Sequence, residues 1–213
     1  MKHGAFFACT FVLVLFSTLL VSAADRTSHA AIAIASDYQF TAENGVCSGS
    51  GTFEDPYVIA DWEIDAGEDA YGIRIHGTSR PFVIRNVAVS GAARAGISLS
   101  YVRSATIEGC LVEANFTGVL LNFCTFVRVR GCTMEKNTDG LRLLFSSENQ
   151  ILDSVFRDND TALWFDASNS NDVWGNLIAR SDMGAYLNLA STENSFLENA
   201  FVDNVHNAFS DEP

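Results

Sequence analysis

The stretch TGVLLNFCTFVRVRGCTMEKN, from Thr117 to Asn137, decides the fold, because DGLRLLFSSENQILDSVFRDN, from Asp139 to Asn159, repeats its pattern. Both stretches have glycine in second place, continue through three short apolar segments and close on asparagine. The pattern extends from Tyr71 nearly to the C-terminal end, with a period of about 22 residues. A fixed period of this size is typical of solenoids, in which each repeat stacks on its neighbour.

Apolar residues alternate with other residues inside each segment, as Val119 and Leu121 do, and this alternation predicts short strands with one buried face. Three strands in ~22 residues leave no room for a crossover helix, which excludes a βαβ or leucine-rich architecture. The sequence therefore predicts an all-β fold, a single-stranded right-handed parallel β-helix of about six coils with an N-terminal cap. The inward positions expected on the second strand are Val83, Ile107, Val129, Ile151, Val173 and Phe196, and on the third strand Ala88, Val112, Met134, Phe156, Ile178 and Phe201.

Small and polar residues recur at the same place in successive repeats. The second residue of each repeat is small, which we interpret as a turn position, at Gly72, Gly96, Gly118, Gly140, Ala162 and Gly184. Two further columns are expected to be structural, one of Asn115, Asn137 and Asn159 and one of Asn86, Cys110, Cys132, Ser154, Asn176 and Asn199.

Two kinds of covalent modification are suggested by these columns. Cys110 and Cys132 lie one period apart, so a disulfide between them and a pair of buried free thiols are both open. Asn115 and Asn159 each begin a sequon, which matters only in a host that glycosylates exported proteins.

The N-terminal region indicates export. Residues 1–23 carry Lys2, a long apolar run and small residues before a cleavage site, which is typical of a signal peptide. We divide the remainder into an N-terminal segment (24–39), a cap (40–70), the β-helix (71–207) and a tail (208–213). No second hydrophobic segment follows, so we expect a secreted, cell-surface or periplasmic protein that is free of the membrane after cleavage.

The formal net charge of −13 argues against one class of partner. So acidic a chain, with no basic cluster, repels phosphate backbones, and nucleic-acid binding is not expected.

The cap carries the most specific motif. From Phe40 it reads FTAENGVCSGSGTFEDPYVIADWEIDA, and we expect Tyr57, Ile59, Trp62 and Ile64 to form one strand over the end of the core, with Trp62 as a plug. The motif, followed by repeats of the form GI-x-L, resembles the exported β-helix proteins grouped with the NosD-type periplasmic copper-assembly proteins, over roughly residues 31–207. This resemblance implies copper handling, and it reaches toward the polysaccharide lyases and hydrolases built on β-helices.

The residues themselves favour neither role. The histidines and methionines that follow residues 1–23 are scattered (His29, His76, His206, Met134 and Met183), so we expect no metal site and no cofactor. Few carboxylates fall on the outward face of the first strand, where a hydrolase needs a pair. No catalytic residue is predicted, and an enzyme is less expected than a binding protein.

Binding is predicted where aromatic and polar residues share an outward face. The candidate ligand-binding residues are Arg142, Trp164, Asp166, Tyr186 and Asn188. The alternative is that these aromatic residues cover the sheet or meet another protein. We expect an exported non-catalytic scaffold that binds polysaccharide or cell-surface components, with self-association through the C-terminal end, where Phe209 either folds back or meets another chain.

Overall fold

The computed structural model of the protein describes residues 26–67 and 69–210. The predicted signal peptide, residues 1–23, lies outside the described residues.

Short strands make up most of the described chain. The elements before the repeats are β1 (Thr27–Ser28), β2 (Ile32–Ile34), two 3-10 helices (Asp37–Gln39 and Ala42–Asn44), β3 (Val46–Ser48), β4 (Tyr57–Ala60) and β5 (Trp62–Asp65). The strands of the repeats are β6 (Tyr71–His76), β7 (Phe82–Arg85), β8 (Ala88–Ser90), β9 (Ala95–Ser100), β10 (Ala105–Glu108), β11 (Leu111–Glu113), β12 (Thr117–Asn122), β13 (Arg128–Arg130), β14 (Thr133–Glu135), β15 (Asp139–Leu144), β16 (Gln150–Leu152), β17 (Val155–Arg157), β18 (Thr161–Asp166), β19 (Asp172–Trp174), β20 (Leu177–Ala179), β21 (Met183–Asn188), β22 (Ser195–Leu197), β23 (Ala200–Val202) and β24 (His206–Ser210).

These strands form three sheets of eight strands each. Sheet I has the order β2-β6-β9-β12-β15-β18-β21-β24, sheet II the order β3-β4-β7-β10-β13-β16-β19-β22, and sheet III the order β1-β5-β8-β11-β14-β17-β20-β23. All pairs are parallel except β3 with β4. The chain visits the three sheets in turn, so the predicted right-handed parallel β-helix is confirmed.

The segment before Gly72 adds one coil to the six that the repeats predict. Strands β2, β4 and β5 pair with β6, β7 and β8 of the first repeat. Residues 57–64 do not form one strand as expected, because the chain bends at Asp61, which has a left-handed φ of 61°, and passes from sheet II to sheet III.

The cap closes the N-terminal end of the core with an aromatic side chain that the sequence did not single out. Phe40 is buried and stacks on Tyr57, with ring centroids 4.6 Å apart. Trp62 is only partly buried against the core, and its indole N–H donates to the Gly45 carbonyl at 2.8 Å. Phe40 therefore shares with Trp62 the role that we expected of Trp62 alone.

One continuous apolar core runs through the coils, as predicted. The predicted inward positions are wrong by one residue in the first coil: Ile84 stacks on Ile107 and Val89 on Val112, in place of Val83 and Ala88. The position above Cys110 is accordingly held by Val87, not Asn86. The cause is the longer first repeat, in which 24 residues separate Tyr71 from its partner Ala95.

The small residues at the start of each repeat are strand residues, not turn residues. Gly118 lies within β12, and a Cβ atom there would lie 2.5 Å from the carbonyl oxygen of Gly140 in the next coil. The close stacking of coils, rather than a turn, therefore requires a small residue.

Asparagine side chains hold one corner together, as the column of Asn115, Asn137 and Asn159 predicts. The Oδ1 atom of Asn137 accepts from the backbone N–H of Asn115 at 3.0 Å, and Asn159 does the same for Asn137. These buried amides satisfy backbone groups at a bend that sheet pairing does not reach.

Candidate functional site

The outward face of sheet I carries the predicted site. Its six-residue strands expose two columns of side chains, and the register matches the predicted one. The first column is Arg74, Ser98, Leu120, Arg142, Trp164 and Tyr186, and the second is His76, Ser100, Asn122, Leu144, Asp166 and Asn188. Strand β24 extends the first column by Phe209, opposite Tyr186.

Asp166 connects the predicted site residues. Its Oδ2 atom lies 2.7 Å from Nη2 of Arg142, and its Oδ1 atom accepts from Nε1 of Trp164 at 3.0 Å and from Nδ2 of Asn188 at 2.9 Å. The carboxylate is buried, so these hydrogen bonds offset its loss of water. Asp166 thereby fixes side chains from three successive coils.

The aromatic rings of the site differ in how they are covered. The Arg142 guanidinium carbon lies 4.2 Å from the Trp164 ring centroid, which is a cation–π contact. Tyr186 meets Trp164 almost at a right angle, with centroids 5.1 Å apart and planes at 82°. Tyr186 and Phe209 are close to parallel, with centroids 5.7 Å apart and planes at 24°.

Phe209 is therefore a candidate site residue that the sequence reasoning missed. It is 50% exposed and continues the aromatic column beyond Tyr186. A 23-residue step from Tyr186, which the insertion near Ala190 allows, reaches it, so the signal was present in the sequence.

A second carboxylate, Asp139, completes the charged part of the site and was also missed. Its Oδ2 atom lies 3.6 Å from Nη1 of Arg142 and accepts from the Thr117 hydroxyl at 3.5 Å. Burial raises the pKa of Asp139 above its usual range, against the lowering effect of Arg142. Arg142 is thus held between two buried carboxylates, although its Nε atom is buried without a partner among the described residues.

The cysteines are free thiols in the structure. Cys110 and Cys132 are buried on adjacent coils, and no disulfide joins them. A hydrogen bond with Cys110, together with burial, raises the pKa of Cys132 well above its usual value. Burial also raises the pKa of Cys124, to about 11. Among the four described cysteines only Cys47 is exposed.

Both sequon asparagines lie inside the stack. Asn115 and Asn159 are 5% and 4% exposed. The nitrogen to which a glycan would be attached already donates to a backbone carbonyl, that of Glu113 for Asn115 (2.8 Å) and that of Met134 for Asn159 (3.1 Å). A glycan on either nitrogen is sterically incompatible with the folded coil.

The described residues do not fit a bound copper ion. They contain no group of three or more His, Cys, Asp and Glu side chains that could hold a metal. The nearest approach is at the cap, where the Cys47 thiol lies 3.6 Å from the Gly45 carbonyl and His29 packs on Trp62, which also binds that carbonyl. Two donors of this kind fall short of a copper site.

A further concave region lies away from sheet I. It measures about 660 Å³ and lies over sheet II beside the cap, between Phe53 and Phe126. It lacks the bonded cluster of aromatic and charged side chains found on sheet I, so we place the candidate site on sheet I.

No helix among the described residues is long and apolar enough to cross a membrane.

Comparisons with known proteins agree with the fold. Residues 31–213 match the family described as "Periplasmic copper-binding protein (NosD)". The A-module of the Azotobacter vinelandii mannuronan C-5 epimerase AlgE4 is similar in structure, with a TM-score of 0.58 and 16% identity over 70% of this chain and 50% of that one. The A-module of AlgE6 from the same organism gives 0.58 and 15% over 73% and 52%.

At such low identity the likeness to the epimerase modules concerns the fold alone. The chain spans about half the length of these modules. The comparison with curated proteins returns no match.

Proposed function

Because the chain belongs to the NosD family of periplasmic β-helix proteins, we propose that it is an exported scaffold that binds polysaccharide on the outward face of sheet I without cleaving it. The observation that carries this proposal is the hydrogen-bonded network around Asp166, which fixes Trp164 beside Tyr186 on consecutive coils. A side chain that is held in place before the ligand arrives loses little entropy on binding.

The arrangement suits an extended sugar chain. Trp164, Tyr186 and Phe209 follow one another at 5.1 and 5.7 Å along the rod. Aromatic rings beside hydrogen-bonding groups such as Asn188 are suited to sugars, which have both apolar and hydroxyl-bearing faces. Since the guanidinium of Arg142 occupies one side of Trp164, we expect Tyr186 and Phe209 to make the main ring contacts.

Cleavage is less well supported than binding. Glycoside hydrolysis needs two carboxyl groups that reach opposite sides of the scissile bond. The carboxylates of sheet I, Asp139 and Asp166, are both buried and both engaged with Arg142. They are therefore placed to fix side chains rather than to meet a substrate.

Affinity electrophoresis in gels that contain soluble polysaccharides tests the proposal. We expect at least one polysaccharide to retard the wild-type protein, and Tyr186→Ala and Phe209→Ala to reduce the retardation about tenfold each. Trp174→Ala is the matched control, because Trp174 is an aromatic residue exposed on sheet II. Absence of retardation by any polysaccharide, or an equal effect of Trp174→Ala, would contradict the proposal.

A further inference from the structure

The outward face of sheet I differs in charge from the rest of the molecule. The chain carries a net charge of −13, yet the described strands of sheet I contain only two acidic residues, Asp139 and Asp166. Both are buried beside Arg142. The acidic surface therefore lies elsewhere, and this face does not repel an anion as the whole molecule does.

The first two coils of the same face carry arginines without acidic partners. Arg74 projects from β6, with its guanidinium carbon 5.2 Å from the Tyr71 ring centroid. Arg94, just before β9, donates to the hydroxyl of the same tyrosine at 3.5 Å. Among residues 26–67 and 69–210, no carboxylate oxygen lies within 4.0 Å of either guanidinium.

This lack of partners is unusual for the molecule. Basic side chains in every other part of the rod are ion-paired, namely Arg80, Arg85, Arg130, Lys136, Arg142, Arg157 and Arg180. A chain with twice as many acidic as basic residues, 26 against 13, has carboxylates to spare for Arg74 and Arg94. Their guanidinium groups are instead left available on an open face.

Polar neighbours extend this basic region toward the aromatic column. Ser98 pairs with Arg74 across the strands and Ser100 with His76, and the His76 ring meets the edge of Tyr101 at 5.4 Å. Arg74 and Tyr186 lie in one column, five strand spacings apart, which is ~24 Å at ~4.8 Å per strand. An extended oligosaccharide can therefore touch both ends of the face.

We infer that the polysaccharide bound by sheet I is acidic, and that Arg74 and Arg94 bind the carboxylate of one of its sugars while Tyr186 and Phe209 contact its rings. The inference rests on the proposed binding function. Arginine binds carboxylates through paired charge-assisted hydrogen bonds, which are stronger than bonds between neutral groups. The sheet I face thus has an anion-binding end and an aromatic end.

The test compares acidic polysaccharides with neutral counterparts of the same backbone. The probes are polygalacturonate with its methyl ester, and carboxymethyl cellulose with hydroxyethyl cellulose, each held in a non-denaturing gel. We expect the acidic member to retard the protein at roughly a tenfold lower concentration, and Arg74→Gln to remove most of this difference. Retardation by the acidic member should also weaken as salt is added.

Arg128→Gln is the matched control. Arg128 is an exposed arginine on sheet II that bonds to Gln150 and has no acidic partner, so its replacement removes the same charge from another face. Equal effects of Arg74→Gln and Arg128→Gln would overturn the inference, because they would reflect net charge alone.

The remaining outcomes separate the two proposals. If acidic and neutral members retard the protein equally and Tyr186→Ala abolishes both effects, the acidic ligand is ruled out and polysaccharide binding stands. If none of the four polysaccharides retards the wild-type protein, binding on sheet I is contradicted, and the inference with it.

Discussion

At the scale of single residues, the Asp166 carboxylate accepts hydrogen bonds from Arg142, Trp164 and Asn188, which lie on three successive coils. The carboxylate is buried, and the Arg142 side chain is 27% exposed. An ion pair that is mostly shielded from water is costly to break from one side, because the remaining charge stays without a partner.

Asp166→Asn is therefore expected to lower the free energy of unfolding by about 2–3 kcal/mol. The amide keeps an acceptor for the Trp164 indole but cannot balance the Arg142 charge. Urea denaturation measures the effect. In Asp158→Asn, the control, the lost partner is the exposed Arg180, and the expected change is within about 1 kcal/mol. Equal losses in the two variants would show that Asp166 is not a special support.

A pH dependence follows from the raised pKa of Asp139. The folded protein binds the proton of this carboxyl more readily than the unfolded chain does, so ionisation disfavours folding as the pH rises above about 4. Asp139→Asn removes this titration. We expect the wild type to lose stability relative to Asp139→Asn between about pH 4 and 6. Urea denaturation of both proteins across this range measures the difference, and a constant difference would contradict the assignment.

At the scale of elements, the corners between sheets I and II carry an aromatic stack that the sequence reasoning did not anticipate. Tyr101, Phe123 and Phe145 have left-handed φ values of 54°, 52° and 48° and are about half exposed. The Tyr101 and Phe123 rings stack with centroids 5.0 Å apart, and those of Phe123 and Phe145 at 4.9 Å. The rings cover one another along the rod, so they stabilise the corners and leave few faces for a ligand.

Phe123→Ala removes both ring contacts of the central member of this stack. We expect a loss of about 1–2 kcal/mol, from two stacking contacts and some apolar burial. Phe116→Ala is the control, because Phe116 is exposed to a similar degree and has no ring contact among the described residues. Thermal denaturation compares the two variants, and an equal shift in Tm would assign the effect to burial alone.

At the scale of the whole molecule, the coils share one core, and side chains buried in it become accessible only when coils separate. Three of the four described thiols, those of Cys110, Cys124 and Cys132, lie in that core. Iodoacetamide labelling followed by peptide mapping should modify Cys47 within minutes and the other three only in denaturant. Early labelling of Cys124 would indicate that the coils open locally, and a core cysteine that resists labelling even in denaturant would indicate a disulfide.

The C-terminal end of the described rod presents strands β22, β23 and β24 as the last members of the three sheets. Phe209 does not fold back over the core but continues the outward column of sheet I. Self-association through this end stays a prediction.

Most of the architecture could be read from the sequence, because the interval between repeats sets which residues are neighbours along the rod. The interval of 22 residues placed Arg142, Trp164 and Tyr186 in one column and Asp166 and Asn188 in the next, as the structure has them. The interval fails where a repeat is longer, which is why the first coil was assigned one residue out of register.

The sequence by itself determined the stacking of coils and the residues that face outward, because backbone pairing and the alternation of side chains depend only on local spacing. The tertiary structure alone decided that Arg142 lies over Trp164, that Asp139 joins the site, and that Tyr101, Phe123 and Phe145 stack. These contacts depend on side-chain rotamers and on the direction of each corner, which a periodic pattern does not encode.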